Sequence, residues 1–414
     1  MKRLAATSPL FLLAFLGFET WAHGSESLDA YLREALESNP QLAADFEMVS
    51  AARQMGDQVG VLPDPKLSYT EFVSTVETRN GPQERAVSLT QAFPWPGKLT
   101  LRRSIADERA KEAFYRYEAL QRKIVLEVGL TYFEYAFLGE ATEVTSKNLK
   151  LLEQLVPVVD TKVRAGGDLG ASLRLEVETT RVEDELQALH EKRAALSSRF
   201  ESLLGREPNL ERPLDFPDLP QDTPGIASIE SLERGIEGHP LVVAAETGLL
   251  SAELAERLSR KSALPDINLG ANVIDIGDGG DTAVGLMVGV SIPLFFDKYR
   301  AEREEKEALA RSARMTVDSV EQQLISDLHA AVQEWREAEK RLELYEEKLL
   351  PSSEQAVELT EESYRNDKAS VTDLIDAERT LLELQLMNQR ALAKIHMAAL
   401  KVRTLSEPLS VSDR

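Results

Sequence analysis

Cysteine is missing from all 414 residues. That excludes disulfide frameworks, thiolate metal sites, cysteine nucleophiles and a lipid anchor on an N-terminal cysteine. Long hydrophobic runs are scarce, and only one, near the N-terminus, approaches the length of a membrane helix. A polytopic helical membrane protein is therefore excluded. Positive charge is in deficit, with Lys+Arg 48 against Asp+Glu 70 and a formal net charge of -22. Such a chain is a poor partner for a nucleic-acid backbone. The five histidines, His23, His190, His239, His329 and His396, are scattered without metal-ligand spacing. No phosphate-cradling glycine loop of the P-loop type and no nucleophile-base arrangement is legible. The reading thus contains no enzyme, no cofactor and no metal site. What is present is 43% hydrophobic and 29% charged residues, enough for a folded core. The length fits two or three domains, or one large assembly unit.

The first 24 residues read as an address. Lys2 and Arg3 precede the apolar run Leu10 to Phe18, which is too short to span a bilayer, and Ala22-His23-Gly24 offers small residues for a signal peptidase. A secretory signal peptide over residues 1–24 places the mature chain in the periplasm or outer membrane. The competing reading is a buried N-terminal helix.

The chain is written twice. Asn39-Pro40 recurs as His239-Pro240, Leu62-Pro63-Asp64 as Leu264-Pro265-Asp266, and Ala92-Phe93-Pro94 as Ser291-Ile292-Pro293. Glu134-Tyr135 lines up with Glu334-Trp335, Arg164 with Arg365, and Glu207-Pro208 with Glu407-Pro408. The offset stays between 199 and 202. Repeats are expected over 25–210 and 228–408, with a linker at 211–227 and a tail at 409–414. The stretch Pro208 to Pro224 holds five prolines, which suits a linker.

Each repeat has the same parts. A short helix carries Leu32 and Leu36, or Leu232 and Ile236, and a second helix starts at Pro40 or Pro240. Hairpins follow at about 66–93 and 266–292, the first turning at Arg79-Asn80-Gly81-Pro82. In the last strand Val284, Leu286, Val288, Val290 and Ile292 alternate with Ala283, Gly285, Met287, Gly289 and Ser291. An aliphatic face backed by a small one suits a membrane barrel wall, and the runs have bilayer length; a soluble hairpin is the commoner source of such alternation. Long helices are expected from about Lys98 to Val163 and Lys298 to Arg365, each about 100 Å if continuous, with Pro157 and Pro351 as kinks or breaks. Tips at about 164–171 and 365–371 lead into return helices. The second return helix shows a coiled-coil seam at Leu381, Leu384, Asn388, Ala391, Ile395, Ala398 and Val402.

This organisation resembles the TolC family of outer-membrane efflux proteins, over about residues 27–408. The most specific stretch is Tyr364-Arg365-Asn366-Asp367-Lys368-Ala369-Ser370-Val371-Thr372-Asp373-Leu374-Ile375-Asp376-Ala377-Glu378-Arg379. It is similar to the family's second helix-tip signature, with Asp367 where the family carries glycine. The first-half counterpart, Arg164-Ala165-Gly166-Gly167-Asp168, keeps the glycine. The resemblance implies a mainly α fold with a small β part, assembled as a homotrimer. Its long helices make a periplasmic α-barrel, and two hairpins per subunit make a shared 12-stranded β-barrel in outer-membrane lipid. It also implies a periplasmic adaptor and an inner-membrane pump, and passive conduction between them. The Phe93-Pro94-Trp95-Pro96-Gly97-Lys98 form resembles members paired with heavy-metal pumps of the resistance-nodulation-division type.

By the same resemblance Asp373 and Asp376 occupy the periplasmic constriction. Their spacing places them on one helix face, and three copies would stack two carboxylate rings that favour cations. The competing reading is that they complement the helix dipole. Tyr364 matches a closed-state contact, with Ser172 and Ala369 as its partners here. Tip residues Arg164, Gly166, Gly167, Asp168, Arg365, Asp367 and Lys368 are the adaptor-contact candidates, or ordinary solvated turns. Two other functions compete: the same fold exporting drugs, or proteins by type I secretion, and a periplasmic coiled-coil scaffold without a pore.

Overall fold

A computed structural model describes residues 25–166, 168–366 and 368–407. Residues 1–24, expected as a signal peptide, Gly167, Asp367 and residues 408–414, which hold the expected tail, lie outside the described residues. The elements in order are α1 (Ser25–Ser38), α2 (Pro40–Val59), β1 (Lys66–Thr78), β2 (Gly81–Phe93), α3 (Lys98–Arg164), α4 (Leu169–Leu203), α5 (Ile229–Ile236), α6 (Pro240–Ser262), β3 (Ile267–Ile276), β4 (Ala283–Val290), α7 (Phe296–Leu344), α8 (Leu350–Arg365) and α9 (Val371–Ser406). A five-residue π-helical segment, Tyr345–Leu349, joins α7 to α8. The chain forms two compact units, Met1–Ala43 with Ala119–His239 and Gln323–Arg414, and Ala44–Glu118 with Pro240–Gln322. Each unit draws on both repeats.

In the second unit the hairpins form one antiparallel sheet in the order β1-β2-β3-β4. The two repeats therefore meet at the β2–β3 pair. The first turn differs from the Asn-Gly turn expected. Thr78 pairs with Gly81, so Arg79-Asn80 is the loop and Gly81, at φ +121°, opens β2. The Thr78 hydroxyl accepts from the Asn80 amide at 3.3 Å and donates to the Gly81 carbonyl at 2.6 Å, which favours this placement. The second hairpin is shorter than 266–292, because β4 ends at Val290. One further bond, Ser291 N–H to the Asp266 carbonyl at 2.8 Å, closes it before Pro293, which has no N–H to give.

In the first unit the core is aromatic and aliphatic, with Tyr132, Phe133, Tyr135 and Phe200 almost fully enclosed. The proline-rich linker lies against it as a strap. Tyr135 OH donates to the Leu214 carbonyl at 2.5 Å, Arg193 to the same oxygen at 2.8 Å, and Trp335 Nε1 to the Pro224 carbonyl at 3.0 Å. His396 Nε2 donates to the Pro220 carbonyl at 2.9 Å, and its ring stacks on Phe133 at 5.0 Å. The repeat-related pair Tyr135 and Trp335 thus serve the same purpose, fixing one linker. A segment without regular secondary structure can pack here because side chains satisfy its carbonyls.

The seam expected on α9 widens toward its C-terminal end. Leu381, Leu384 and Asn388 are half-buried, whereas Ala391, Leu392, Ala393, Ile395, His396, Ala398, Ala399, Leu400 and Val402 are all buried. Small residues admit neighbours on more than one side, so the helix is enclosed rather than striped. Pro157 does not break α3, which runs unbroken from Lys98 to Arg164. It sits on an exposed face, where the carbonyl it frees can meet water. Pro351 lies in the first turn of α8, directly after the π segment. The repeat offset is 200 at Glu134/Glu334 and 201 at Arg164/Arg365. The π segment lies between these landmarks and takes up the extra residue.

Candidate functional site

The sheet gathers its aliphatic side chains on one exposed face. Cross-strand rows run Leu67–Leu89–Ala271–Leu286 and Tyr69–Val87–Val273–Val284. Leu286 is 85% exposed and Val288 76%. On the opposite face stand Ser68, Ser88, Asn272 and Gly285, then Thr90, Gly270 and Met287. The aliphatic band ends at a charged row, Glu71–Arg85–Asp275, where Arg85 approaches Asp275 at 3.8 Å. At the other end Leu294, Phe295 and Phe296 are exposed. An apolar band with charge beyond one end and aromatics at the other matches a barrel wall standing in lipid. β1 and β4 have one partner strand each and leave two open edges. Open edges do not persist in hydrocarbon.

Below the sheet, Asp266 ties the repeats together. Its Oδ1 accepts from the Trp95 amide at 2.7 Å and from Lys98 Nζ at 2.9 Å, and Lys98 also donates to the Leu264 carbonyl at 2.8 Å. Burial pushes the Asp266 carboxyl up, but Lys98 and the Trp95 amide outweigh it and hold the group below its ordinary 3.8. The sequence motifs Leu264-Pro265-Asp266 and Pro94-Trp95-Pro96-Gly97-Lys98 were legible separately. Their contact was not, because it depends on β2 pairing with β3.

In the first unit the tips of α3, α4, α8 and α9 close over one cluster, Leu152, Val159, Leu175, Val182, Tyr364, Val371, Leu374 and Ile375. Tyr364 is buried there, with Ala369 packed against the cluster. Lys162 Nζ lies 4.1 Å from its ring centroid and donates to its carbonyl. The Ser172 hydroxyl instead donates to Asp160 at 3.1 Å. Gly166 has φ +100°, a left-handed conformation that favours glycine. Asp168 caps α4 by accepting from Gly170 N at 2.8 Å. Arg164, Gly166, Asp168, Arg365 and Lys368 are exposed, and Arg365 pairs with Glu361 one turn back.

Asp373 stands in a capping box. Its carboxylate accepts from the Ser370 amide and hydroxyl, each at 2.8 Å, while the Ser370 oxygen accepts from the Asp373 amide. Those bonds hold its carboxyl below the ordinary 3.8. Asp376, one turn on, is exposed and 4.0 Å from Arg379. Arg379 reaches across to Glu178 of α4 at 2.6 Å, and Arg181 meets the same carboxylate at 2.7 Å. Burial raises the Glu178 carboxyl, but the two guanidinium groups prevail and keep it below 4.5. Arg174 donates to Thr372 at 2.7 Å, a second tie between the two tips. Sequence reasoning missed these ties; Glu178 and Arg379 lie 201 positions apart, the repeat offset itself, and that was the available signal. On α4, Leu169, Leu173 and Val177 form an exposed apolar stripe.

His239 and His396 are enclosed, and burial lowers both rings to about 4. No group of three or more His, Asp or Glu side chains is placed to hold a metal among the described residues. No helix among them is long and apolar enough to cross a membrane.

Residues 232–406 match the family profile described as Outer membrane efflux protein. The cobalt-zinc-cadmium resistance protein CzcC of Cupriavidus metallidurans is 22% identical over 408 residues, covering 92% of this chain and 90% of that protein. The fold superimposes on the outer membrane protein VceC of Vibrio cholerae with a TM-score of 0.80 at 18% identity, covering 93% of this chain and 97% of that one. CusC, whose crystal structures concern folding and transmembrane channel formation, gives a TM-score of 0.78 at 15% identity and 95% coverage of both chains. This chain therefore carries an outer membrane efflux protein domain at residues 232–406 and has, across its described length, the mainly helical fold of these outer-membrane channels.

Proposed function

We propose that the chain is the outer-membrane conduit of a tripartite efflux system, working as a homotrimer and receiving cargo from a periplasmic adaptor and an inner-membrane pump of the resistance-nodulation-division type. The observation that carries this reading is the open four-stranded sheet with its aliphatic face exposed. Three copies bring twelve strands, close both edges and face a small, polar lining toward water. The apolar stripe Leu169, Leu173 and Val177 on α4 supports burial against further helices. The conduit is passive; the pump supplies the energy. Most of the mass lies in the periplasm in this reading. The domain division proposed is a signal peptide over 1–24, repeats over 25–210 and 228–408, and a linker over 211–227.

Heavy-metal cations are the proposed cargo. The reading draws on the likeness to a cobalt-zinc-cadmium resistance protein and on the acids at the tip. Asp376 is the freer carboxylate, and Asp373 stiffens the turn that presents it. Together they form the proposed constriction, with Tyr364 and its cluster holding the tips closed and the exposed turns at Arg164–Asp168 and Arg365–Lys368 meeting the adaptor. The test is a planar-bilayer recording on the detergent-extracted protein. Wild type is expected to conduct as a trimer, prefer cations and be blocked by multivalent cations. Asp373→Ala/Asp376→Ala channels are expected to lose both properties; unchanged selectivity and block would remove the constriction, and absence of conductance from wild-type trimers would remove the conduit.

A further inference from the structure

The duplication extends to atomic detail in the sheet, and it points beyond the single chain. Between repeats, β1 maps onto β3 with the offset of Leu62-Pro63-Asp64 to Leu264-Pro265-Asp266, which is 202. β2 maps onto β4 with the offset of Pro94 to Pro293, which is 199. Applied to the observed pairs Leu67↔Leu89, Tyr69↔Val87 and Glu71↔Arg85, these shifts give Leu269↔Val288, Ala271↔Leu286 and Val273↔Val284. All three are observed pairs. The internal symmetry therefore holds register residue for residue.

The β2–β3 pairing has no counterpart within one chain, because β4 and β1 are the two edges. Applying the same shifts to Gln91↔Leu269 and Leu89↔Ala271 gives Val290 opposite Leu67 and Val288 opposite Tyr69. Both new pairs match aliphatic face to aliphatic face, since Leu67, Tyr69, Val288 and Val290 are all exposed on the outer side.

The junction beneath follows the same rule. Lys98 N–H bonds the Trp95 carbonyl at 3.0 Å and Lys298 N–H bonds the Phe295 carbonyl at 3.1 Å, so each lysine closes the same kind of turn, Lys98 as the first residue of α3 and Lys298 within the first turn of α7. Lys98 is 5% exposed and locked onto Asp266. Its repeat counterpart Lys298 is exposed, and the adjacent carboxylate, Asp297, is occupied by Arg300 at 2.6 Å. The counterpart of Asp266 is Asp64, which is exposed and has no ion pair among the described residues. Opposite charges are thus left open at the two ends that closure brings together.

Resting on the trimer reading above, in which the β4 edge meets the β1 strand of the next copy, we propose that this boundary takes the register Val290↔Leu67 and Val288↔Tyr69, and that Lys298 of one copy donates to Asp64 and the Leu62 carbonyl of the next. The ion pair repeats at each subunit boundary what Lys98, Asp266 and Leu264 do within a subunit. The segment Pro293–Lys298 is one residue longer than Pro94–Lys98, and Lys298 stands in the first turn of α7.

The absence of cysteine gives a clean background for the test. Full-length Tyr69→Cys/Val288→Cys protein, extracted in detergent and oxidised, is expected to run as reductant-sensitive covalent dimers and trimers. The shifted pair Tyr69→Cys/Val290→Cys is expected to crosslink severalfold less, because diagonal neighbours lie beyond disulfide reach. In parallel, Asp64→Lys and Lys298→Asp are each expected to lower the temperature at which the trimer dissociates, and the double exchange to restore it. Light scattering on the unmodified protein separates the outcomes. Trimers that crosslink through the shifted pair, or that ignore the charge exchanges, overturn this register and lock while leaving the conduit standing. A monomer overturns both.

Discussion

The sheet and the helical unit distribute the same kinds of residue in opposite senses. β4 exposes Val284, Leu286, Val288 and Val290, while α9 encloses Leu392, Ile395, Leu400 and Val402. In the helical unit apolar groups leave water by packing on one another. In the sheet they stay outside, and glycine, serine, threonine and asparagine take the other face. Aliphatic side chains face whichever surroundings are least aqueous, so the direction in which each region points reports the solvent it is built for.

The largest effect that would break this comparison is a charge set into the outer face. Leu286→Arg should cost about 2–4 kcal/mol at a lipid-facing midpoint. It should abolish trimers in the outer-membrane fraction, whereas Met287→Arg on the opposite face should assemble and shift ion selectivity. Equal tolerance of both substitutions would show that neither face meets lipid.

Next in size is acid lability confined to the helical unit. His396 titrates at about 4 in the fold against 6.5 as its ordinary value. Its folded pKa is depressed, so the associated stability is complete above the unfolded pKa and is lost as pH falls from 6.5 toward 4. The loss amounts to about 3 kcal/mol. His396→Gln should roughly halve the dependence of the helical melting temperature on pH across that window, with His239, also lowered to about 4, supplying the remainder.

A smaller effect concerns the tie between the tips. Glu178→Gln should remove the anchor of Arg379 and Arg181 at a cost of about 2 kcal/mol. It should also raise single-channel conductance by loosening the closed tips. Because the Glu178 carboxyl is held low, the tie persists at neutral pH and is lost only as pH falls below 4.5. The smallest is Ser370→Ala, which deletes the cap of α9 for about 1 kcal/mol. Circular dichroism melts should register it with little change in conductance.

Much of the element order was legible because local chemistry and tertiary structure agree. Alternation marked β4, the prolines at 40 and 240 opened α2 and α6, and the tip turns bounded α4 and α9. The misreadings occur where a neighbour decides. Asn80-Gly81 has hairpin chemistry, yet the Thr78 hydroxyl moved the loop back by one residue. Pro157 has the chemistry of a helix break, yet an exposed position made it tolerable. At the tip, sequence singled out Asp373 and Asp376 but not Glu178, whose importance arises only when α4 and α9 bring two arginines to it. Long-range ion pairs leave no periodicity in a sequence, and only the repeat offset hinted at this one.

The π segment at Tyr345–Leu349 is a small device with a disproportionate effect on spare parts. An added residue in an ordinary helix would rotate everything after it by about 100°, turning Tyr364 out of the closed cluster. A single widened turn swallows the surplus, so the two repeats differ in length here and still present matching ends.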